Sequence, residues 1–166
     1  MELSIVYDSR TGNTAFLARE LARAFPAVDC RRLEEAEGPL ARRVCLGFWT
    51  DKGTCSEAVR AFLPALAGRR IFLFGTAGFG LSQAYFAQII QRVAAQLPAD
   101  ARIEEWFMCQ GRMGDGVRQR YEAMLADPAA EAKARQLLEN FHSAASHPDR
   151  ADAAALVEKV RRWMER

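Results

Sequence analysis

Three hydroxyl side chains and a glycine lie close together near the amino terminus, in the segment Ser9–Thr14. The hydroxyl groups of Ser9, Thr11 and Thr14 can donate hydrogen bonds to phosphate oxygens. Gly12 allows the backbone to turn so that successive N–H groups point inward. A helix that begins here would add its own free N–H groups and the positive end of its dipole. The segment therefore predicts a binding site for a phosphate monoester.

The same six residues also fit a simpler interpretation, a Ser/Thr/Gly turn that caps a helix. They include no lysine and do not match the GxxxxGK[ST] pattern of nucleotide triphosphatases. Their position favours phosphate binding, because they follow an apolar segment at 3–7 and precede a helical pattern.

The composition predicts a single domain over residues 1–166, since half of the residues are hydrophobic and can fill a core. No apolar run approaches the roughly 20 residues of a membrane helix, and no signal-sequence pattern stands at the amino terminus. We therefore expect a soluble, cytoplasmic protein. The net charge is only +2 and the basic residues form no dense run, so neither a membrane nor a nucleic acid is an expected partner.

The cysteines lie far apart in the sequence and form no CxxC pair. This spacing predicts reduced thiols and no metal site. The four positions are Cys30, Cys45, Cys55 and Cys109.

Apolar segments that are typical of strands alternate with segments of helical periodicity. The strands are predicted at 3–7, 28–33, 44–49, 71–75 and 103–109. Helices are predicted from Thr14 to Phe25 and, more weakly, over 34–43. A third runs from Ser56 to Gly68, with Pro64 as a kink or early turn. A fourth follows Ser82, and the residues that share one of its faces are Phe86, Ile89, Ile90, Val93 and Leu97. This alternation indicates an α/β fold with a parallel sheet.

Five such strands predict a three-layer, doubly wound sheet of order 2-1-3-4-5, in which ligands bind beyond the carboxyl ends of the strands. The loops at that edge are the unusual stretches of the sequence: Ser9–Thr14, Thr50–Cys55, Thr76–Gly80 and Gln110–Gly116. Each of them could be an ordinary turn, and Phe79 or Trp49 taken alone is more often a core residue than a ligand contact. Their convergence at one edge favours a binding site.

The first loop matches the T/S-x-T-G-x-T phosphate pattern of the flavodoxins, which the chain resembles over about residues 1–110. The resemblance implies an FMN cofactor. It also implies that the aromatic Phe79 stacks on the flavin ring and that the Gly47–Gly53 stretch contacts flavin N5. The cofactor-binding residues expected from the loops and the resemblance are Ser9, Arg10, Thr11, Gly12, Asn13, Thr14, Trp49, Thr50, Asp51, Lys52, Gly53, Thr76, Ala77, Gly78, Phe79, Gly80, Gln110 and Gly111.

By that resemblance the protein is an electron carrier with no catalytic side chain of its own, and its partners are redox proteins that donate and accept electrons. The segments 48–53, 109–111 and 120–122 are further similar to a flavodoxin-like family associated with bacterial bilirubin reductase. One alternative is an FMN-dependent NAD(P)H reductase that acts on quinones or other small acceptors. Another is an accessory subunit that binds flavin weakly or not at all.

The chain departs from typical flavodoxins in three ways. It is slightly basic where they are acidic, so its partner is not expected to be one selected for an acidic carrier. Lys52 lies in a loop expected near the ring, where it would favour the anionic reduced flavin; a solvated surface lysine is the equal alternative.

The third departure is an insertion at about 112–149. It is predicted to contain helical segments at 116–126 and 129–142, with His142 and His147 at its surface. A last helix follows from about Ala151, with Leu156, Val160 and Trp163 on its inner face. The insertion is expected to form either a lid or docking surface beside the flavin, or a stabilising appendage.

Overall fold

The strands lie where the apolar segments predict them in the computed structural model, which describes residues 2–80 and 82–166. Every pair of neighbouring strands is parallel, and the order is β2-β1-β3-β4-β5. This confirms the predicted fold class and strand order. The strands are β1 Leu3–Tyr7, β2 Asp29–Arg32, β3 Arg43–Trp49, β4 Arg70–Ala77 and β5 Arg102–Gln110.

Six α-helices accompany the sheet within the described residues. Two of them begin at serine caps, since the hydroxyl of Ser56 accepts from the N–H of Val59 and that of Ser82 accepts from the N–H of Tyr85. The helices are α1 Asn13–Ala24, α2 Glu57–Phe62, α3 Gln83–Ala94, α4 Asp115–Met124, α5 Glu131–Ala144 and α6 Arg150–Met164.

The sheet is covered on both faces because side chains alternate along each strand. In β4, Ile71 and Leu73 pack with α2 and α3, whereas Phe72 and Phe74 pack with α1 and α6. The predicted inner face of the last helix is also buried, with Trp163 against the ring of Phe72. The fold therefore has three layers, and α4 and α5 lie in the chain between β5 and α6.

Two glycines in the central strands leave room for aromatic rings rather than for a ligand. Gly47 pairs with Phe74 across β3 and β4, and Phe48 pairs with Gly75 in the same ladder. A Cβ atom on Gly47 would lie 2.4 Å from the Phe74 ring, and one on Gly75 would lie 2.6 Å from the Phe48 ring. Each phenylalanine therefore depends on the glycine opposite to it.

The helix predicted at 34–43 is wrong. A single 3₁₀ turn, Leu33–Glu35, is followed by irregular backbone as far as β3. Gly38 has φ of 88°, and Pro39 has no N–H group to donate, so a helix cannot continue through this pair.

Other element boundaries also differ from the prediction. The helix predicted to reach Gly68 ends at Phe62 and continues as a 3₁₀ turn, Leu63–Leu66, that contains Pro64. α3 ends at Ala94, so Leu97 lies beyond it in a turn. β4 and β5 are longer than predicted and include residues that had been placed in loops, namely Thr76, Ala77 and Gln110.

None of the helices formed by residues 2–80 and 82–166 combines the length and the apolar character needed to cross a bilayer.

Candidate functional site

A cleft of about 690 Å³ opens at the carboxyl edge of the sheet, where the loops after β1 and β3 diverge. This is the point at which the strand order reverses and where doubly wound sheets bind ligands. We call Ser9–Thr14 with Trp49 and Thr50 the first wall, and Gly111–Arg120 the second wall. The floor comes from the end of β4. The lining residues are Arg10, Thr11, Asn13, Trp49, Thr50, Thr76, Ala77, Gly78, Gly111, Arg112, Met113, Gly114, Gly116, Val117 and Arg120.

The loop after β1 leads directly into α1 and leaves its backbone donors available. Gly12 has φ of 94°, which favours glycine, and the hydroxyl of Ser9 accepts from the N–H of Ala15. Within the described part of the chain, the N–H groups of residues 11–14 make no hydrogen bond. Such free amides at a helix N-terminus form an anion-binding site.

The two threonines of the loop have different environments. Thr14 is fully buried, and its hydroxyl donates to the carbonyl of Phe48 at 3.1 Å and lies 3.1 Å from the hydroxyl of Thr76. Thr11 is exposed and lines the cleft. Thr14 therefore joins the loop to β3 and β4, whereas the Thr11 hydroxyl is available to a ligand.

Two buried polar atoms at the cleft lack hydrogen-bond partners, the Oδ1 atom of Asn13 and the Oγ1 atom of Thr50. The amide nitrogen of Asn13 is occupied, because it donates to the carbonyl of Arg112 at 2.8 Å. Buried polar atoms are seldom left unpaired, since each costs about 1–3 kcal/mol. Both atoms are therefore candidates for contacts with a polar ligand.

Trp49 is the aromatic side chain that the structure places in the cleft. Its indole nitrogen donates to Asp8 Oδ2 at 2.9 Å, and the same oxygen accepts from the Ser56 hydroxyl at 2.6 Å. The guanidinium of Arg10 lies 5.4 Å from the centre of the Trp49 ring. Asp8 thus fixes the orientation of a ring that lines the cleft. We did not predict this role, although the position of Asp8 directly after β1 was consistent with it.

The segment after β3 folds into a tight turn beside the cleft. Asp51 and Thr54 exchange backbone hydrogen bonds of 2.8 and 3.2 Å, and the central residues Lys52 and Gly53 have φ of 51° and 82°. Positive φ at both central positions defines a type I′ hairpin turn. Arg92 donates to the Gly53 carbonyl at 3.2 Å, and Lys52 is exposed.

The loop after β4 is held by side chains from two neighbouring elements. The Gly78 carbonyl accepts from Gln110 Nε2 at 3.1 Å and from Asn140 Nδ2 at 3.0 Å, and these two side chains also bond to each other. The side chain of Met113 fills the space beside Gly78, where an added Cβ would lie 2.8 Å from the sulfur. We call Gln110 and Asn140 the Gly78 clamp, because they fix the floor of the cleft to β5 and α5.

The second wall is fixed mainly through its backbone. The N–H of Arg112 donates to the carbonyl of His147 at 2.9 Å, and His147 Nδ1 lies 2.7 Å from Asp152 Oδ2. Asp149 and Asp152 form the capping box of α6, which accounts for the grouping of these carboxylates beside His147. His147 is thus half-buried and part of the wall's support, whereas His142 is exposed as expected.

Half of the predicted binding residues line the cleft. These are Arg10, Thr11, Asn13, Trp49, Thr50, Thr76, Ala77, Gly78 and Gly111. The other half lie in the same loops or strand ends but are not part of the lining: Ser9, Gly12, Thr14, Asp51, Lys52, Gly53, Phe79, Gly80 and Gln110.

The loop Gln110–Gly116 was expected at this edge, but the named binding residues stopped at Gly111. The structure adds Arg112, Met113, Val117 and Arg120 to the lining. These residues belong to the insertion and match no ligand-binding pattern. The available signal was the position of this loop directly after β5, at the same sheet edge as the others.

All four cysteines are free thiols. Burial raises the pKa of Cys45, Cys55 and Cys109, so these thiols remain protonated at neutral pH and are poor nucleophiles. The cleft therefore offers no redox thiol from Cys55, which follows the turn at 51–54.

Comparison with known proteins identifies the family. A profile of the Flavodoxin domain family matches residues 4–161, almost the whole chain. The chain belongs to the flavodoxin domain family. This confirms the resemblance noted from the phosphate loop.

Two curated relatives carry the name flavodoxin-like domain-containing protein BilS. The protein from Clostridium symbiosum (strain WAL-14163) is 38% identical over 177 aligned positions, which cover 93% of this chain and 92% of that protein. The protein from Clostridioides difficile (strain CD3) is 32% identical and covers 90% and 88% respectively. The similarity extends through the insertion, because it spans nearly the full length of each chain.

Solved structures agree in fold at low sequence identity. The Trp repressor binding protein of Bacillus subtilis superposes with a TM-score of 0.52 at 12% identity, covering 82% of this chain and 97% of that one. A flavoprotein from Lactobacillus acidophilus NCFM, solved in complex with FMN, has a TM-score of 0.51 at 8% identity and covers 64% and 92%. These similarities show a shared flavodoxin fold.

Proposed function

We propose that the protein binds FMN in this cleft and carries electrons to a partner reductase. The observation that supports this most is the loop Ser9–Thr14, whose free amides at the start of α1 open onto a cleft at the switch point of the sheet. FMN has a phosphate monoester and a planar ring system, which are the two features that this cleft can accommodate. The flavoprotein from Lactobacillus acidophilus, which shares the fold, was solved with FMN.

The phosphate would be held by donors that carry little net charge. The free N–H groups of residues 11–14 and the hydroxyl of Thr11 provide hydrogen bonds, and the α1 dipole favours an anion at the same point. Arg10 lies beside Thr11 in the lining and supplies a positive charge. Charge-assisted hydrogen bonds of this kind are stronger than neutral ones.

The polar ring edge and the ribityl chain fit the remaining groups of the cleft. Asn13 Oδ1 can accept a hydrogen bond, and Thr50 Oγ1 can either donate or accept one. Trp49 offers a flat surface that Asp8 holds in place. The residues present therefore suit the cofactor.

The bound flavin would supply the redox chemistry, because no side chain in the lining is itself redox-active. The chain's own contribution is to orient the cofactor and to limit water access. Gln110 and Asn140 hold the Gly78 carbonyl, and the type I′ turn at Asp51–Thr54 presents backbone groups near the cleft. The roles expected for Lys52 and Gly53 near flavin N5, and for Phe79 as a stacking residue, belong to this proposal.

The acceptor we propose is a bilirubin or related tetrapyrrole reductase. This part of the proposal is based on the resemblance of 48–53, 109–111 and 120–122 to a flavodoxin-like family associated with bacterial bilirubin reductase. The match to the two BilS relatives, across 90% or more of this chain, supports the flavodoxin-like assignment on which the choice of acceptor depends.

Titration of the FMN-free protein with FMN and with riboflavin tests the cofactor. We expect quenching of FMN fluorescence with one equivalent bound, and weaker binding of riboflavin because it lacks the phosphate. Thr11→Val should lower FMN affinity by roughly tenfold to a hundredfold, since a hydrogen bond to a charged group contributes about 1.5–3 kcal/mol. Riboflavin affinity should not change, and Thr11→Ser should restore FMN affinity. Equal losses for both flavins would refute the phosphate site.

Kinetics then separate the carrier from the reductase alternative. The FMN-loaded protein should accelerate bilirubin consumption by a bilirubin reductase in the presence of an electron donor, and it should consume NAD(P)H slowly when alone. Rapid NAD(P)H oxidation without a partner would instead support an FMN-dependent reductase, which the open cleft of 690 Å³ could accommodate. If the protein binds no FMN, the accessory-subunit hypothesis is the one that remains.

A further inference from the structure

Three arginines line the cleft and all three are exposed. Arg10 belongs to the first wall, whereas Arg112 and Arg120 belong to the second. We call these three side chains the arginine rim. The cleft lining contains no aspartate or glutamate among the residues that the structure describes.

The rim guanidiniums have no acidic partners. Within residues 2–80 and 82–166, none of the three takes part in an ion pair. Arg118, two positions before Arg120 on α4, instead pairs with Asp115 and Glu122. Arginines on one helix thus differ in whether intramolecular carboxylates neutralise them, and the one facing the cleft is not neutralised.

Two of the rim arginines are held in place, Arg112 by its backbone and Arg10 by contact with a fixed ring. Arg112 donates its N–H to the His147 carbonyl and accepts from Asn13 with its own carbonyl. The guanidinium of Arg10 lies over Trp49, whose ring is held by Asp8. The positive charge is therefore localised around the mouth of the cleft, although the chain as a whole carries only +2.

A bound phosphate accounts for only part of this charge. Arg10 is next to the phosphate-binding amides, but Arg112 and Arg120 come from the other wall, and Arg120 is on a different element. Exposed guanidiniums around a rim suit a large ligand that approaches from solvent, because such charges raise association rates by about 10–10³. A small anion held in a closed pocket would require convergent, buried donors.

We propose that the arginine rim is the docking surface for an acidic face of the redox partner. The inference rests on the proposed function, since the partner's acidic face would lie over the edge of the bound flavin. The charge arrangement is the reverse of an acidic carrier that docks on a basic partner. Arg112 and Arg120 would raise the rate of encounter with that partner.

Electron transfer to two probe proteins of opposite charge tests the proposal. The FMN-loaded protein is reduced with dithionite, freed of excess reductant and mixed with an acidic Cu(II) plastocyanin or with basic Fe(III) cytochrome c. One electron passes from the reduced flavin to each metal centre. We expect the plastocyanin rate to fall as ionic strength rises and the cytochrome c rate to rise or stay constant.

The variant Arg112→Gln/Arg120→Gln should slow plastocyanin reduction roughly fivefold or more at low ionic strength. The control, Arg42→Gln/Arg102→Gln, removes the same charge from two exposed residues at the amino ends of β3 and β5, the opposite edge of the sheet. It should change the rate less than twofold. Equal losses in the two variants, or faster reaction of the wild-type protein with cytochrome c at low salt, would overturn the proposal.

A second measurement does not require FMN. In a Trp106→Phe background, fluorescence quenching reports mainly on Trp49, because Trp163 is buried. Iodide should quench Trp49 more strongly than caesium does, and the Arg112→Gln/Arg120→Gln pair should reduce that difference. If FMN fails to bind, the quenching result still shows whether the rim attracts anions. If FMN binds but iodide and caesium quench Trp49 equally, the docking proposal is wrong while the proposed cofactor is unaffected.

Discussion

The first wall is joined to the core by side chains, whereas the second wall is joined to its neighbours mainly by backbone groups. Thr14 is fully buried and bonded to Phe48 and Thr76, and Trp49 is held by Asp8. In the second wall α4 has no buried residue. The wall is joined to the rest by the Gly111 N–H, which donates to the Ala77 carbonyl, and by the Arg112 N–H, which donates to the His147 carbonyl. We conclude that the first wall shares the stability of the sheet, whereas the position of the second wall depends on a few backbone hydrogen bonds.

The largest expected effect comes from the point where the two walls touch. A Cβ atom on Gly111 would lie 2.5 Å from Asn13 Nδ2 and 3.2 Å from Thr76 Cβ. Gly111→Ala should therefore break the bond between Asn13 and Arg112 and lower FMN affinity by roughly tenfold to a hundredfold, as about 1–3 kcal/mol of strain implies. Fluorescence titration measures the loss. Gly116→Ala, whose Cβ meets nothing within 4 Å, measures the effect of an added methyl group in the lining without displacement of Asn13.

Next in size is a change inside the first wall that separates stability from binding. Thr14→Val removes the hydroxyl bonded to Phe48 and Thr76, so the free energy of unfolding should fall by about 1–3 kcal/mol. Thr11→Val at the exposed position should alter stability by no more than about 0.5 kcal/mol. Urea denaturation of the FMN-free variants checks both values. A similar loss at the two positions would contradict the different environments of these threonines.

The Gly78 clamp connects the insertion to the floor of the cleft. Asn140→Ala removes one of the two donors to the Gly78 carbonyl, and FMN affinity should fall by roughly fivefold, equivalent to a hydrogen bond of about 1 kcal/mol. Alanine gains up to about 0.7 kcal/mol of helix propensity, so affinity is a better measure than stability. Glu139→Ala, at the exposed neighbouring position, should leave affinity unchanged. If it does not, the effect belongs to α5 as a whole.

The smallest effect is expected at the support of the second wall and depends on pH. The hydrogen bond from the Asp152 N–H lowers the pKa of Asp149 in the folded protein. Because the pKa is lowered, the ionised carboxylate stabilises the fold at pH values above the ordinary pKa of 3.8. This contribution is lost as the pH falls through the lower pKa of the folded protein. Asp149→Ala should therefore lower Tm at pH 7, with the gap to wild type narrowing below pH 3.8. A gap that persists unchanged into strong acid would show that the charge plays no part.

The positions of most strands and helices were predictable because each local sequence pattern is compatible with only one type of element. Val44–Phe48 and Ile71–Phe74 are apolar throughout and are buried, as a sheet covered on both faces requires. Ser56 and Ser82 mark the starts of two helices for a local reason, the hydrogen bond of an N-cap. The helix predicted over 34–43 failed because Gly38 and Pro39 outweighed weak periodicity.

The candidate site was predictable only where local sequence builds it. The Ser9–Thr14 loop could be recognised, since a phosphate loop depends on hydroxyls, a glycine and the helix that follows. The positions of Met113, Val117 and Arg120 could not, because they reach the cleft through the packing of the insertion on the sheet. Likewise, no local pattern shows that the ring of Phe48 from the neighbouring strand occupies the open side of Gly75.

The sequence by itself determined the alternation of strands and helices and the Ser9–Thr14 turn, because these depend on interactions between residues close in the chain. The strand order followed from that alternation through the general rules for parallel crossovers. Tertiary structure decided which residues line the cleft. It joined Asn13 to Arg112 and Gly78 to Asn140, and it left three arginines around the cleft with no carboxylate partner among the described residues. Those contacts join residues 62 or more positions apart, so they depend on how the layers pack and have no signature in any short segment.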